Sequence, residues 1–219
     1  MTANRGTARL AGALFLISTA AFLIGSGLID SVLNQPEYLA RLYPDRMKVM
    51  LGLFLELINC AAVVGIAMLM YPVLKRHRES IALGYFGSRL IESALLLISI
   101  LGTLALLAIS EEYIAAGGNG DAYFVTIGKL AVRGQHMAFE LAMLVLSLGS
   151  VLFCSLLYRT KLIPRAMSIL GMIGYFALMA SSCLTMMGYE PGSVLFIPGG
   201  IFELIFPVWL ILKGFERAE

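Results

Sequence analysis

Six long apolar stretches constrain the fold of this chain more than any other feature of its sequence. Each approaches or exceeds the roughly 20 residues that a helix needs to cross a hydrocarbon core about 30 Å thick. The chain is 59% hydrophobic and 14% charged, whereas soluble domains usually carry about 25% charged residues. The sequence therefore predicts an all-α, polytopic membrane protein with six transmembrane helices. The predicted spans are Leu10–Ile29, Val49–Tyr71, Ile81–Ile109, Phe124–Leu157, Ala166–Met187 and Val194–Leu212.

Two of these stretches need interpretation. The first resembles a signal peptide, but it is longer than the usual apolar core of about 7–15 residues, which favours a span. The fourth is too long for one crossing, so we expect residues 121–134 (DAYFVTIGKLAVRG) near or beyond the outer surface, with the crossing beginning close to Gly134. No linker or low-complexity segment interrupts the chain, which predicts a single transmembrane domain over residues 1–219.

Lysine and arginine collect at one set of helix ends. These positive charges are Arg5, Arg9, those of KRHRE (75–79) and YRTKLIPR (158–165), Lys213 and Arg217. The opposite loops carry mixed charge, with EEY (111–113) and Asp121 but also Arg41, Arg46 and Lys48, which weaken the asymmetry. Because cytoplasmic loops carry an excess of Lys and Arg, both termini are predicted to be cytoplasmic.

The even-numbered spans share a short motif with a central glutamate: FLELI (54–58), AFELA (138–142) and IFELI (201–205). The odd-numbered spans share a looser pattern, RLAGALFL (9–16), IALGYFGS (81–88) and SILGMIGYF (168–176). These similarities predict three repeated helical hairpins in series. Chance recurrence of short apolar motifs is the alternative explanation. Internal repeats are common in transport folds, whose binding sites lie near the repeat interfaces.

Ionisable residues inside the spans are the strongest functional signal. Glu56, Glu92, Glu140 and Glu203 come from four different spans, and a rise of about 1.5 Å per residue places them at middle to outer depth. A charge that faces lipid costs at least about 2.5–3.5 kcal/mol, so we expect these side chains to face the bundle interior. Helical spacing adds neighbours on the same faces. The full set of candidate binding residues is Glu56, Asn59, Arg89, Glu92, Arg133, His136, Glu140 and Glu203.

The sixth span carries a backbone irregularity beside its glutamate. Pro207 cannot donate a hydrogen bond to the carbonyl of Glu203, and Pro198, Gly199 and Gly200 weaken the preceding turn. A helix interrupted on both sides of a carboxylate is typical of transporter binding sites. The alternative is a tolerated kink whose freed carbonyl is satisfied by a neighbour.

These residues support three hypotheses about function. The leading one is transport or sensing of a small cation or solute coupled to carboxylate protonation, with Arg89 as counter-charge to Glu92 and His136 as proton partner of Glu140. The second is an intramembrane enzyme with a divalent metal such as Mg²⁺, Mn²⁺, Fe²⁺ or Zn²⁺ held by His136, Glu140 and Glu203. The third is a structural or partner-binding subunit whose polar core only fixes packing. Membrane lipids are the expected partners, a homo-oligomer is left open, and no basic stripe indicates nucleic acid.

Four segments together resemble a bacterial family of integral membrane proteins described only as a domain of unknown function. They are RLAGALFLIS (9–18), VGIAMLMYPVLKRHRESIALGYFGSRLIES (64–93), LYRTKLIPRAMSILGMIG (157–174) and FELIFPVWLILKGF (202–215). The resemblance implies six spans and a location in the bacterial plasma (inner) membrane, but no established activity. Its RLIE and FEL…WLILKG patterns are matched here by Arg89, Glu92, Glu203, Trp209, Lys213 and Gly214.

Overall fold

The computed structural model of the protein describes residues 2–117, 122–189 and 191–215. This part of the chain contains seven α-helices and no strand. The helices are α1 (Thr2–Leu33), α2 (Tyr38–Leu42), α3 (Arg46–Lys75), α4 (Glu79–Ala115), α5 (Ala122–Thr160), α6 (Arg165–Met186) and α7 (Ile197–Leu212), with a 3₁₀ turn at Ser193–Phe196 before α7. Asp121 and Arg217, two of the charges used to predict orientation, lie outside the described residues.

Six of the seven helices are long and apolar enough to cross a membrane, which confirms the predicted number of spans. The observed helices α1, α3, α4 and α5 begin or end several residues beyond the predicted apolar stretches, because polar residues at their ends continue the helix. The fourth span forms one unbroken helix of 39 residues. At 1.5 Å per residue it is about 58 Å long, well beyond the hydrocarbon thickness of about 30 Å.

Of the two interpretations of the sixth span, the helix interrupted on both sides of Glu203 is wrong, and a proline tolerated within the helix agrees with the structure. The helix α7 is continuous from Ile197 to Leu212 and runs through Pro207. Pro198 stands in the first turn of α7, where a helix needs no backbone donor and tolerates proline. Glu203 therefore projects from a regular helix that has one internal proline.

The six spanning helices form a ring in chain order. Each packs against the spanning helix before it and the one after it, and α7 packs against α1 to close the ring. The short loops make neighbouring helices antiparallel, so the basic loop residues share one end of the ring. We call this the basic end, and it includes Arg9, Arg76, Arg78, Lys161, Arg165 and Lys213.

Glycines let α1 approach both α3 and α7 closely. A Cβ on Gly25 of α1 would lie 2.9 Å from the carbonyl oxygen of Gly52 on α3. A Cβ on Gly12 would lie 2.7 Å from the carbonyl oxygen of Pro207, at the contact that closes the ring. Small residues of this kind allow membrane helices to pack backbone against backbone. The Gly25–Gly52 contact also brings Glu56, one turn further along α3, against α1.

An aromatic cluster fills the ring toward the basic end. Phe206 makes edge contacts with Phe15 and Phe153, at ring-centroid distances of 5.3 and 5.7 Å, and stacks on Phe202 at 5.1 Å. Tyr85 stacks on Phe153 at 4.6 Å. Aromatic side chains from α1, α4, α5 and α7 therefore close the interior on this side. The polar residues described below lie further from the basic end.

Candidate functional site

The polar interior of the ring is divided between two cavities. We call the one nearer the basic end the central cavity, of about 250 Å³, and the other the distal cavity, of about 240 Å³. The charged residues that line the central cavity are Arg89, Glu92 and Glu203. Those that line the distal cavity are Asp30, Glu56 and His136. The single polar core expected from the sequence is thus two sites at different depths.

Helix lengths show how far apart these depths are. Glu203 lies nine residues before the end of α7 at Leu212, or about 14 Å from it along the helix. Glu56 lies 19 residues before the end of α3 at Lys75, or about 28 Å. Glu56 therefore lies further than Glu203 from the basic end, where both α3 and α7 end.

A buried ion pair forms one side of the central cavity. Nη1 of Arg89 donates to both carboxylate oxygens of Glu92, at 3.0 and 2.7 Å, and Nε donates to the hydroxyl of Tyr85 at 3.3 Å. The two charged residues are only 4% and 2% exposed. The guanidinium also lies 6.0 Å from the ring centroid of Phe15. Three hydrogen bonds and an aromatic contact thus hold Arg89 in place, and its pairing with Glu92 is the one that the i,i+3 spacing predicts.

The second carboxylate of the central cavity comes from the opposite wall. The hydroxyl of Tyr175 on α6 donates to Oε1 of Glu203 at 3.1 Å. Unlike Glu92, Glu203 is only partly buried, because its side chain opens into the cavity. Glu203 also interacts electrostatically with Arg89. With both carboxylates ionised, the cavity holds one positive and two negative charges.

Asn59 completes the polar lining of the central cavity. The hydroxyl of Ser18 on α1 donates to the Asn59 side-chain oxygen on α3 at 2.6 Å. On the neighbouring helix α4, Ser93 donates to the carbonyl oxygen of Cys60 at 3.2 Å. Hydrogen bonds therefore join α1, α3 and α4 beside the ion pair, and they fix the position of Asn59.

The distal cavity is lined by acidic and neutral polar groups from four helices. Asp30 of α1 interacts electrostatically with Glu56 of α3 and with His136 of α5. Thr103 of α4 donates to the side-chain oxygen of Gln135 at 2.7 Å. The His136 side chain is 58% exposed, so it lies at the mouth of this cavity.

Two stacked phenylalanines separate the cavities. Phe22 of α1 and Phe139 of α5 lie with ring centroids 5.8 Å apart and an interplanar angle of 3°. Both rings, together with Leu96 of α4, line the central cavity and the distal cavity alike. These three side chains therefore form an apolar partition between the two groups of charges.

The predicted stripe on α5 is only partly inside the ring. Glu140 is 4% exposed, lies 3.7 Å from Nε2 of His136, and is absent from the lining of both cavities. Its Oε2 is buried with no hydrogen-bond partner within the described part of the chain. Arg133 is exposed and lines neither cavity. The structure thus brings His136 and Glu140 together, as predicted, and leaves Arg133 out.

The three residues suggested as metal ligands are not assembled. Glu203 lines the central cavity, whereas His136 lines the distal cavity on the other side of the partition. Across the described ranges, no three His, Cys, Asp or Glu side chains are grouped so that they could hold a metal ion. The geometry therefore does not favour the metal-dependent enzyme.

Sequence analysis missed Asp30, Tyr175 and the partition residues Phe22 and Phe139. Asp30 directly follows the predicted span Leu10–Ile29 and therefore fell outside it, whereas α1 continues to Leu33. Tyr175 stands within the SILGMIGYF pattern, but a tyrosine in an apolar helix gives no sign of its partner. The signal that could have identified Asp30 is its spacing of four residues from Ser26, which also lines the distal cavity.

Six spanning helices around a polar interior define this chain as a multi-pass α-helical membrane protein. It belongs to the family described as Domain of unknown function (DUF4386), whose model matches residues 10–214. The match covers all six spans and both cavities. No curated protein and no solved structure matches the chain.

Proposed function

We propose that the protein transports a small solute across the bacterial plasma membrane and couples this movement to protonation of the carboxylates that line its two cavities. The observation that carries the proposal is the pair of cavities stacked inside the ring and lined by carboxylates from four helices. These are Asp30 on α1, Glu56 on α3, Glu92 on α4 and Glu203 on α7. Ionisable residues inside a helical bundle commonly mark ion pathways and proton relays.

The two cavities have different roles in this proposal. The distal cavity is open at His136, so Asp30 and Glu56 can exchange protons with water on that side. The central cavity is closed toward the basic end by the aromatic cluster around Phe206, and toward the distal cavity by the Phe22–Phe139 stack. A solute held there is separated from water on both sides until one barrier moves, as alternating access requires.

The proposed orientation places the basic end in the cytoplasm. Five basic residues lie in or beside the loops that connect α3 to α4 and α5 to α6 at that end: Lys75, Arg76, Arg78, Lys161 and Arg165. The excess of Lys and Arg in short cytoplasmic loops supports this choice. The distal cavity then faces the outer side of the membrane.

Proton movement by the reconstituted protein tests this function. The purified protein is placed in liposomes that enclose a pH-sensitive dye, with the membrane potential held by potassium and valinomycin. Sodium, lithium and a series of small organic amines and acids are added outside in turn. We expect at least one solute to change the internal pH in protein-containing liposomes and not in empty ones.

Matched variants show whether the buried carboxylates are responsible. Glu56→Gln should abolish the proton signal, because it removes the carboxylate that lies between the partition and the distal mouth. Glu79→Gln is the control, since Glu79 is exposed and pairs with Lys75 at 3.0 Å on the surface. Circular dichroism and gel filtration confirm that both variants fold. No signal from any solute, or an undiminished signal with Glu56→Gln, would contradict the proposal.

A further inference from the structure

We propose that the ligand of the central cavity is an organic monocation with an apolar body, such as a protonated arylalkyl amine. We further propose that it enters from the bilayer between α1 and α7. This inference rests on the proposed function and names the substrate class of the same protein. Four properties of the central cavity support it: the charge of the cavity, its volume, the side chains that line it and the position of its opening.

The charge of the cavity favours a cation. Arg89 is already engaged by Glu92 through Nη1 and by Tyr85 through Nε. Within the part of the chain that the structure describes, Glu203 accepts a hydrogen bond from one neutral donor, the hydroxyl of Tyr175, on one of its oxygens. The cavity therefore holds one carboxylate more than it holds cations, and a ligand with a single positive charge balances the three side chains. An anion would meet two carboxylates and a guanidinium that is already paired.

The size and wall of the cavity favour an organic body. A volume of about 250 Å³ exceeds that of a bare inorganic ion and is close to the space of about eight water molecules. Its wall includes the rings of Phe15, Phe22, Phe139 and Tyr175, with Leu178 and Met143 among the aliphatic side chains. Aromatic faces attract organic ammonium groups, and apolar side chains hold the rest of such a molecule.

The opening of the cavity lies between the first and the last spanning helix. Leu23 of α1 and Leu204 of α7 both line the cavity, yet they are 60% and 51% exposed on the outside of the ring. Gly200, one turn before Leu204, also lines the cavity, and a Cβ built on it meets nothing within 4 Å. The gap thus opens sideways on a surface of apolar side chains. In a spanning bundle that surface faces acyl chains, into which an amphiphilic amine partitions.

Equilibrium dialysis of the full-length protein in lipid nanodiscs tests the ligand class. The probe is radiolabelled 2-phenylethylamine, which is protonated at pH 7, and empty nanodiscs give the background. The matched anion is 3-phenylpropionate, which has a similar aromatic body and the opposite charge. We expect saturable binding of one amine per chain and no saturable binding of the anion. Absence of saturable amine binding, or preferential binding of the anion, would overturn the proposal.

Two variants locate the site. Glu203→Gln should weaken amine binding at least tenfold, whereas Glu79→Gln should leave it unchanged. Gly200→Phe provides a second measurement that keeps all the charges, because its side chain starts in open space and should fill the lateral gap. We expect Gly200→Phe to fold with an unchanged melting temperature and to lower the association rate at least tenfold, as measured by rapid filtration of the nanodiscs after mixing with the labelled amine. An unchanged affinity in Glu203→Gln overturns the site, and an unchanged rate in Gly200→Phe overturns the entry route.

The binding and flux measurements can fail separately. If the amine binds but moves no protons in liposomes, the transport function is wrong and the cavity is a sensory or regulatory site for the same ligand class. If inorganic cations move protons but no amine binds, transport stands and the ligand class is wrong.

Discussion

The contact between α6 and α7 allows a sharp test of the packing that positions Glu203. A Cβ added to Gly174 of α6 would lie 2.6 Å from both Cα and the backbone nitrogen of Gly199. Ordinary van der Waals contact begins at about 3.4 Å. Because backbone atoms cannot rotate away, Gly174→Ala must separate the two helices by several tenths of an ångström or more.

The expected magnitude comes from two opposing effects. Alanine in place of glycine inside a helix adds about 0.5–1 kcal/mol of stability. Overpacking of a tight contact costs about 1–3 kcal/mol. We therefore expect Gly174→Ala to be about 1–3 kcal/mol less stable than an alanine substitution at a glycine with free space. It should also lengthen the hydrogen bond between Tyr175 and Glu203, since both residues neighbour this contact.

Two neighbouring glycines are matched controls. A Cβ on Gly199 would lie 3.6 Å from the carbonyl oxygen of Gly174, which is ordinary contact, and a Cβ on Gly200 meets nothing within 4 Å. Gly199→Ala and Gly200→Ala should therefore be as stable as the wild type or more stable. Unfolding in increasing mole fractions of dodecyl sulfate, followed by circular dichroism in micelles, gives the free-energy differences. Equal stability of all three variants would refute the role assigned to the Gly174 contact.

Three further predictions follow from the interior. Glu92→Gln should lower the unfolding free energy by about 3–5 kcal/mol, because it leaves the Arg89 charge buried without its main partner. The double variant Arg89→Met/Glu92→Leu should recover most of this loss in the same dodecyl sulfate titration. Phe22→Ala should join the two cavities and raise solute-independent proton leakage in the dye-loaded liposomes at least several-fold over the wild type; unchanged leakage would argue against the partition. In the folded protein a membrane-permeant maleimide should modify the half-buried Cys183 before the fully buried Cys154. Mass spectrometry of the labelled peptides measures the order of modification, and earlier labelling of Cys154 would contradict this prediction.

Much of the fold could be predicted from the sequence because apolar length is a local property. The six spans and the pairing of Arg89 with Glu92 follow from hydropathy and from helical spacing within one segment. The contact of His136 with Glu140 follows from an i,i+4 spacing in the same way. Such patterns specify the face of a helix on which a residue lies.

The arrangement of the two cavities could not be predicted, because it depends on how far each helix is shifted along its neighbours. Glu56, Glu140 and Glu203 occupy matching places in similar motifs, yet Glu56 lines the distal cavity, Glu203 the central cavity and Glu140 neither. The Phe22–Phe139 stack joins α1 to α5, which are not adjacent in the ring of helices. No sequence periodicity relates side chains on two such helices. The threefold hairpin repeat stays a prediction.

Closure of the ring by α1 and α7 has a consequence for biogenesis. The helix α1 is synthesised before α7, so the face of α1 that bears Gly12 is made well before its contact at Pro207. Until α7 is present, the cavity that Arg89 and Glu92 line lacks the helix that carries Glu203. Because α7 follows the other five spanning helices in the chain, the complete central cavity can form only after α7 has been synthesised.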